Sequence, residues 1–254
     1  MVGQEQILPL QAFSVMGLPI HLTNDYVEWL VNCAQQQRGC HVVTLNAEMT
    51  MQAEQNDRLA RIIQAAELII PDGAGIVLYL KLYGRQIQRR PGIELAEGLL
   101  HKFGSGTLGS VFFYGGQPGV ADTAAHTWQQ THPHLPFAGT QHGFLQPEAQ
   151  AEFDHRLKTL QPALILVGLG VPRQEFWIEE HRHLCPNAIW IGVGGSFDIW
   201  AGTKERAPDF FCNNHLEWLY RLYQEPWRWR RMLALPQFAW RSLLYRLHLK
   251  EGVV

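Results

Sequence analysis

The chain has 254 residues, 46% hydrophobic and 17% charged. That is enough apolar surface for one sizeable core, and the length suits one large α/β domain plus an appendage better than two full domains. The formal net charge of −2 excludes a general nucleic-acid binder driven by overall charge and leaves only a local basic patch open. Cys33, Cys40, Cys185 and Cys212 match neither a zinc spacing nor a CxxC motif, and read as reduced thiols of a cytosolic protein. Met1 to Leu10 carries no basic, apolar leader pattern. With no uninterrupted apolar run of about 18 residues, any membrane role is expected to be peripheral.

Short apolar runs alternate with longer mixed segments, the pattern of βαβ units and a mainly parallel sheet. In chain order, a helix is expected from Asn24 to Gln37, a strand over His41 to Leu45, a helix from Gln55 to Ala66 and a strand over Glu67 to Ile70. Gly75 to Tyr83 reads as a helix, Ser110 to Tyr114 as a strand, and the segment after Gly115 to Gly119 as a helix through Gln130. Ala163 to Val167 and Ala188 to Val193 read as buried strands, each running into glycines at Gly168-Leu169-Gly170 and Gly192-Val193-Gly194-Gly195. Glycine turns at the carboxyl ends of such strands are where open α/β sheets bind ligands. After Ala207 the strand signal stops and helical periodicity continues. This divides the chain into an α/β domain, 1–207, and a helical appendage, 208–254, which Pro226 and Pro236 split into three short helices.

Several residues stand where chemistry is possible, each with a plainer alternative. The turn from Tyr114 to Gly119 either cradles a phosphate with backbone N–H groups or serves tight packing. It is not GxGxxG, nor is Gly168 to Arg173, which disfavours a nicotinamide cofactor. No cofactor and no metal are expected, as Asp-x-Asp is absent and the histidines have no zinc spacing. Asp72, directly after a strand, is either a general base or an N-cap. Thr44 and Asn46 either contact ligand in the same crevice or form an Asx-type turn. Arg89 and Arg90 either neutralise a pyrophosphate or are solvated loop charges. Arg173, Gln174 and Glu175 open a helix, with Gln174 a candidate contact and Glu175 equally a dipole-favoured helix charge. Asp198 binds hydroxyls or structures its loop.

The tail has Arg221, Arg228, Arg230, Arg231, Arg241, Arg246 and Lys250 against Glu217 and Glu225 before Glu251, interleaved with Trp218, Trp227, Trp229 and Trp240. Three readings fit this mixture: an anionic membrane surface, tryptophans packed on the domain with wet arginines, or a single-stranded nucleic-acid binder.

Taken together, these blocks resemble the WecG/TagA/CpsF family of bacterial glycosyltransferases. The resemblance is carried, in order, by Thr44-Leu45-Asn46-Ala47-Glu48, Ile70-Pro71-Asp72-Gly73-Ala74-Gly75, Arg89-Arg90-Pro91-Gly92 and His142-Gly143-Phe144. It continues through Gly168 to Glu175, Gly192 to Asp198, Arg206-Ala207-Pro208, Leu216 to Leu222 and Glu225-Pro226. Ala47 and Glu94 depart from the family's usual proline and aspartate, and no role is assigned to Glu94. The resemblance implies a Rossmann-like domain and metal-independent, inverting transfer of an N-acetylmannosamine-type sugar. The donor is a UDP-sugar and the acceptor a polyprenyl-diphosphate-linked sugar, in cell-surface polysaccharide synthesis at the inner face of the membrane. By motif position Asp72 corresponds to the catalytic base, and Thr44, Asn46, Arg89 and Gln174 to active-site polar residues. Substrate contacts are expected from Gly73, Gly115, Gly116, Gly170, Arg173, Glu175, Gly194, Gly195, Asp198, Arg206, Arg221, Arg228 and Arg231. No nucleic-acid partner is expected on this reading, and the oligomeric state is open. A non-catalytic binding module on the same fold is the alternative.

Overall fold

The computed structural model describes residues 10–251 other than 86, 88 and 215, with the side chains of 213 and 247–251 outside that description. A hairpin comes first. Strands β1 (Gln11–Val15) and β2 (Leu18–Leu22) pair antiparallel with Val15 opposite Leu18. The two residues between them, Met16 and Gly17, have φ of 50° and 84°, the left-handed pair whose twist suits a two-residue turn. Met-Gly is a weak turn signal and Pro19 argues against a strand, which is why this hairpin is not legible in the sequence. His21 of β2 accepts the Ile69 N–H at 3.1 Å, so the hairpin lies over an edge that would otherwise present unpaired groups.

The remaining elements alternate. They are α1 (Tyr26–Gln35), β3 (Cys40–Leu45), α2 (Ala47–Ala53), α3 (Asp57–Ala65), β4 (Leu68–Pro71), α4 (Ala74–Leu82), α5 (Gly92–Phe103), β5 (Val111–Gly115), α6 (Val120–Thr131) and β6 (Phe137–Gln141). After them come α7 (Pro147–Leu160), β7 (Leu164–Gly168), α8 (Arg173–His181), β8 (Ile189–Gly192) and α9 (Ser196–Trp200). Strands β3 to β8 form one six-stranded sheet in the order β4-β3-β8-β7-β5-β6, every pair parallel. This is the expected Rossmann-like α/β architecture. Alternate strand residues enter opposite cores. Val42, Ile70, Phe113, Leu166 and Ile191 pack with α1, α5, α6 and α9 on one face. Val43, Leu45 and Ile69 pack with the hairpin, α2, α3 and α4 on the other, where Phe112, Ile165 and Trp190 meet α7 and α8. Burial on both faces explains the near-continuous apolar runs.

The expected strands are present to within a residue or two of their bounds. Helices α2, α5, α7 and α9 and the edge strand β6 are additions. Strand β6, Phe-Ala-Gly-Thr-Gln, is only half-buried throughout, so neither alternation nor an apolar run marks it.

The tail continues as α10 (Asp209–Asn213), α11 (Glu217–Gln224), a 3₁₀ turn at Pro226–Arg228, α12 (Trp229–Met232) and α13 (Ala234–Glu251). Pro226 opens the 3₁₀ turn as a break should. Pro236 lies in the first turn of α13, where a missing N–H costs nothing, so the last helix runs 18 residues instead of being divided there. Ala234, Phe238 and Ser242 recur every four residues and are buried. Phe238 packs against Tyr79, with ring centroids 6.0 Å apart, and Ser242 reaches the Met16 sulfur at 3.8 Å. Arg231 and Arg241 pair with Glu48 at 2.8 Å and Glu54 at 3.3 Å, pinning the tail along α2. Among the described residues no helix is long and apolar enough to cross a membrane.

Candidate active site

The carboxyl ends of β3 and β4 carry the centre of the site. Leu45, the last residue of β3, accepts the Asp72 N–H at 2.9 Å, and Pro71, the last of β4, accepts the Arg90 N–H at 3.2 Å. These two bonds bring the Arg89 loop back across the strand end that presents Asp72. Asp72 does not cap the next helix. Gly73 occupies that position with φ of 82°, a left-handed conformation that favours glycine, and its N–H favours the charged form of the neighbouring Asp72 carboxylate. Asn46 forms a helix cap rather than an Asx-type turn: its Oδ1 accepts the Met49 N–H at 2.9 Å at the start of α2. Thr44 is buried beneath the start of α5. A Cβ on Gly92 would lie 2.9 Å from the Thr44 methyl, so this glycine lets the Arg89–Arg90–Pro91 loop close down on β3.

Asp72 keeps part of its surface open to the crevice, yet its surroundings are dry enough to push its carboxyl up to about 6. Burial is the largest cause. The nearby Glu217 carboxylate adds to it, while Arg89, Arg221 and the Gly73 N–H pull the other way. Arg89 donates from Nη2 to Glu217, and its buried Nε has no partner among the described residues. Burial also pushes Glu217 up. The Cys212 thiol and the Arg89 and Arg221 guanidiniums more than offset it and hold Glu217 below the usual carboxylate range. Residues from β4, the following loop and α11 thus share one electrostatic site, although Arg89 and Glu217 are 128 positions apart in the chain.

The glycine turns lie at the ends of β5, β7 and β8. Gly115 has φ of 130°, and a Cβ there would overlap the Gly168 carbonyl. The Gly116 N–H donates to Gly168 O at 3.0 Å, and Gly116 O accepts the Gly143 N–H at 3.0 Å. These glycines therefore serve close packing between β5, β7 and the loop after β6. Gly170 O accepts the Gln174 N–H at 3.0 Å, and Arg173 is exposed, donating to Leu169 O at 2.9 Å. Gln174 and Glu175 are buried rather than turned to solvent. Gln174 Oε1 accepts the Gly194 N–H at 3.1 Å, and its Nε2 donates to Glu175 at 3.0 Å. Glu175 also bonds the buried His41 ring at 2.8 Å. This network fixes the Gly194–Gly195 turn ahead of α9. Asp198, in α9, accepts from Thr203 at 3.5 Å and lies 3.7 Å from Lys204.

A family model described as the glycosyl transferase WecG/TagA/CpsF family matches residues 13–252, nearly the whole described chain. The chain belongs to that family. It is 38% identical over 220 residues to an N-acetylglucosaminyldiphosphoundecaprenol N-acetyl-beta-D-mannosaminyltransferase of Bacillus spizizenii, covering 86% of this chain and 82% of that one. It is 32% identical over 216 residues to a Bacillus subtilis protein of the same name, covering 85% and 82%. The chain is accordingly a glycosyltransferase.

Within this glycosyltransferase the expected site residues separate into two groups. Arg89 and Arg221 both act electrostatically on Asp72, with Thr44 under the Arg89 loop and Asn46 against Gly73. Of the other expected arginines, Arg173 bonds a backbone carbonyl and three have carboxylate partners elsewhere. Arg206 donates to Glu94 and lies 3.6 Å from Glu97, Arg228 pairs with Glu225 at 2.7 Å, and Arg231 holds Glu48. Glu217 is the site member that sequence reasoning missed. It stands out only as a rare acid in a basic tail, and its role depends on where α11 docks. His41 was also missed, because a buried histidine in a strand looks like any core residue until Glu175 is found beside it.

Proposed function

We propose that this glycosyltransferase moves an N-acetylmannosamine-type sugar from a UDP donor to a polyprenyl-diphosphate-linked sugar, with inversion and without a metal ion, in cell-surface polysaccharide synthesis. The names of the two Bacillus relatives support the sugar and the acceptor. The observation that carries the chemistry is Asp72 at the end of β4, flanked by Arg89 and Arg221. The acceptor hydroxyl gives its proton to Asp72 as its oxygen bonds to the anomeric carbon. The bond from that carbon to the diphosphate breaks, and UDP leaves with the electron pair. Arg89 and Arg221 take up the growing negative charge, the role a divalent cation plays in other transferases. Incubation with radiolabelled UDP-N-acetylmannosamine and a short-chain polyprenyl-diphosphate N-acetylglucosamine, in EDTA, should give a labelled lipid-linked disaccharide. If no UDP-sugar in a donor screen is transferred to that acceptor, the proposal is lost.

The tail supports the membrane side of the reading, with residues 208–254 as the membrane-proximal appendage. Tyr223, Trp227, Trp229 and Trp240 are all more than half exposed, and Arg230 stacks over Trp229 at 5.5 Å. Rings and cations presented together suit an anionic headgroup layer. In flotation with vesicles, the protein should bind when phosphatidylglycerol is included and much less to neutral phosphatidylcholine. Changing Trp227, Trp229 and Trp240 together to alanine should weaken that binding at least about tenfold. Equal binding to both vesicle types, or by the triple variant, would remove the surface from the proposal.

A further inference from the structure

Beside Asp72, Arg89 is already paired with Glu217 within the protein, and Arg221 acts on both carboxylates. A nucleoside diphosphate adds negative charge to this set and competes with the carboxylates for the same guanidiniums. Arg89 is the guanidinium most committed to a carboxylate. Its side chain is 10% exposed and that of Glu217 13%, so water screens the pair little. Glu217 is the first residue of α11, where the helix dipole favours its anionic form. It also lies one turn before Arg221, the spacing and order in which an acid and a base on one helix attract. If it leaves Arg89, a second cation is at hand.

We infer that Glu217 is a positioning residue that competes with the donor's diphosphate for Arg89: it holds the guanidinium in place, yields it when the diphosphate binds, and returns to it as UDP departs. The inference rests on the reading of Arg89 as a diphosphate contact. A carboxylate and a phosphate oxygen make the same kind of charge-assisted bond to a guanidinium, so the exchange replaces one acceptor by another. It also gives the tail a part in turnover, since Glu217 belongs to α11. The arrangement weakens UDP binding, which speeds product release.

The test is calorimetric titration of the full-length protein with UDP, at low salt, in wild type and Glu217→Gln. Removing the competing charge should tighten UDP binding about tenfold, and UDP should become a correspondingly stronger product inhibitor of the transfer assay. In an Arg89→Gln background, where the contested guanidinium is gone, the same Glu217→Gln change should have little effect on UDP affinity. Glu217→Ser gives the same comparison if the glutamine variant does not fold. Unchanged or weaker UDP binding by the Glu217 variants overturns the inference and leaves the proposed function standing. A wild-type protein that binds no UDP overturns the donor reading and this inference together. A gain of the same size in the Arg89→Gln background shows that Glu217 acts by general charge rather than through Arg89, and also overturns it.

Discussion

Asp72→Asn is expected to lower kcat about 10³-fold while leaving UDP binding largely intact. Asparagine keeps the shape and the Gly73 contact but cannot take a proton. In the unaltered enzyme, kcat/KM should rise as pH climbs through about 6, where the Asp72 carboxyl gives up its proton. The same shift makes a statement about stability. Its folded value lies above the ordinary 3.8, so the folded protein holds this proton more tightly than the unfolded chain. The stabilisation is complete below the unfolded value and is lost as pH rises through about 6. At pH 7.5 the ionised Asp72 is therefore a burden of about 3 kcal/mol. Asp72→Asn should melt higher than wild type at that pH, with the difference closing toward pH 4. Transfer and thermal melting measured across the pH range check both halves. Wild-type turnover in the variant removes Asp72 as the base, and a variant that is no more stable at pH 7.5 shows that the burial argument is wrong.

The second large effect is expected at Arg89. Arg89→Gln should cost about 10²- to 10³-fold in kcat, the range seen when a preorganised group that stabilises leaving charge is removed, and should also weaken UDP binding. It should cost stability too, roughly 2–3 kcal/mol, because Glu217 is left largely buried without its cation. Chemistry and packing separate in the double variant. Adding Glu217→Gln removes the stranded charge and should recover most of the melting temperature, while activity stays low. Recovery of activity along with stability would mean that Arg89 acts only as Glu217's partner and makes no contact with the leaving group. Arg89→Lys should lie between, since a lysine supplies charge without the planar fork that meets two oxygens at once.

Set against the structure, the sequence was most legible where burial is two-sided and least where an element is short or at an edge. Val42, Val43 and Leu45, or Leu164 to Val167, can only be interior strands, because each face must meet apolar helices. The hairpin around Met16 and Gly17 and the strand Phe137–Gln141 lack such a signature. Each is stabilised by what it covers or pairs with rather than by its own pattern. The aspartate at a strand's end was visible as a candidate base or cap. Backbone geometry removed the cap reading, because it gives that position to Gly73.

What the sequence by itself determined is the α/β alternation, the parallel sheet, the position of Asp72 at a strand's carboxyl end and the basic, aromatic character of the tail. Ordered blocks from Thr44 to Pro226 also pointed to the family that residues 13–252 match. All of these follow from local periodicity, turn chemistry and motif order. Only the tertiary structure decided which charges meet. It drew Arg89 and Glu217 together across 128 positions and brought Arg221 to Asp72, while Arg206, Arg228 and Arg231 went to other carboxylates. It also buried Gln174 and Glu175 beneath the Gly194 turn. The reason is physical: a charge's role depends on its distance from other charges and on the dryness of its surroundings, and both are set by how α11 and the Arg89 loop dock on the sheet.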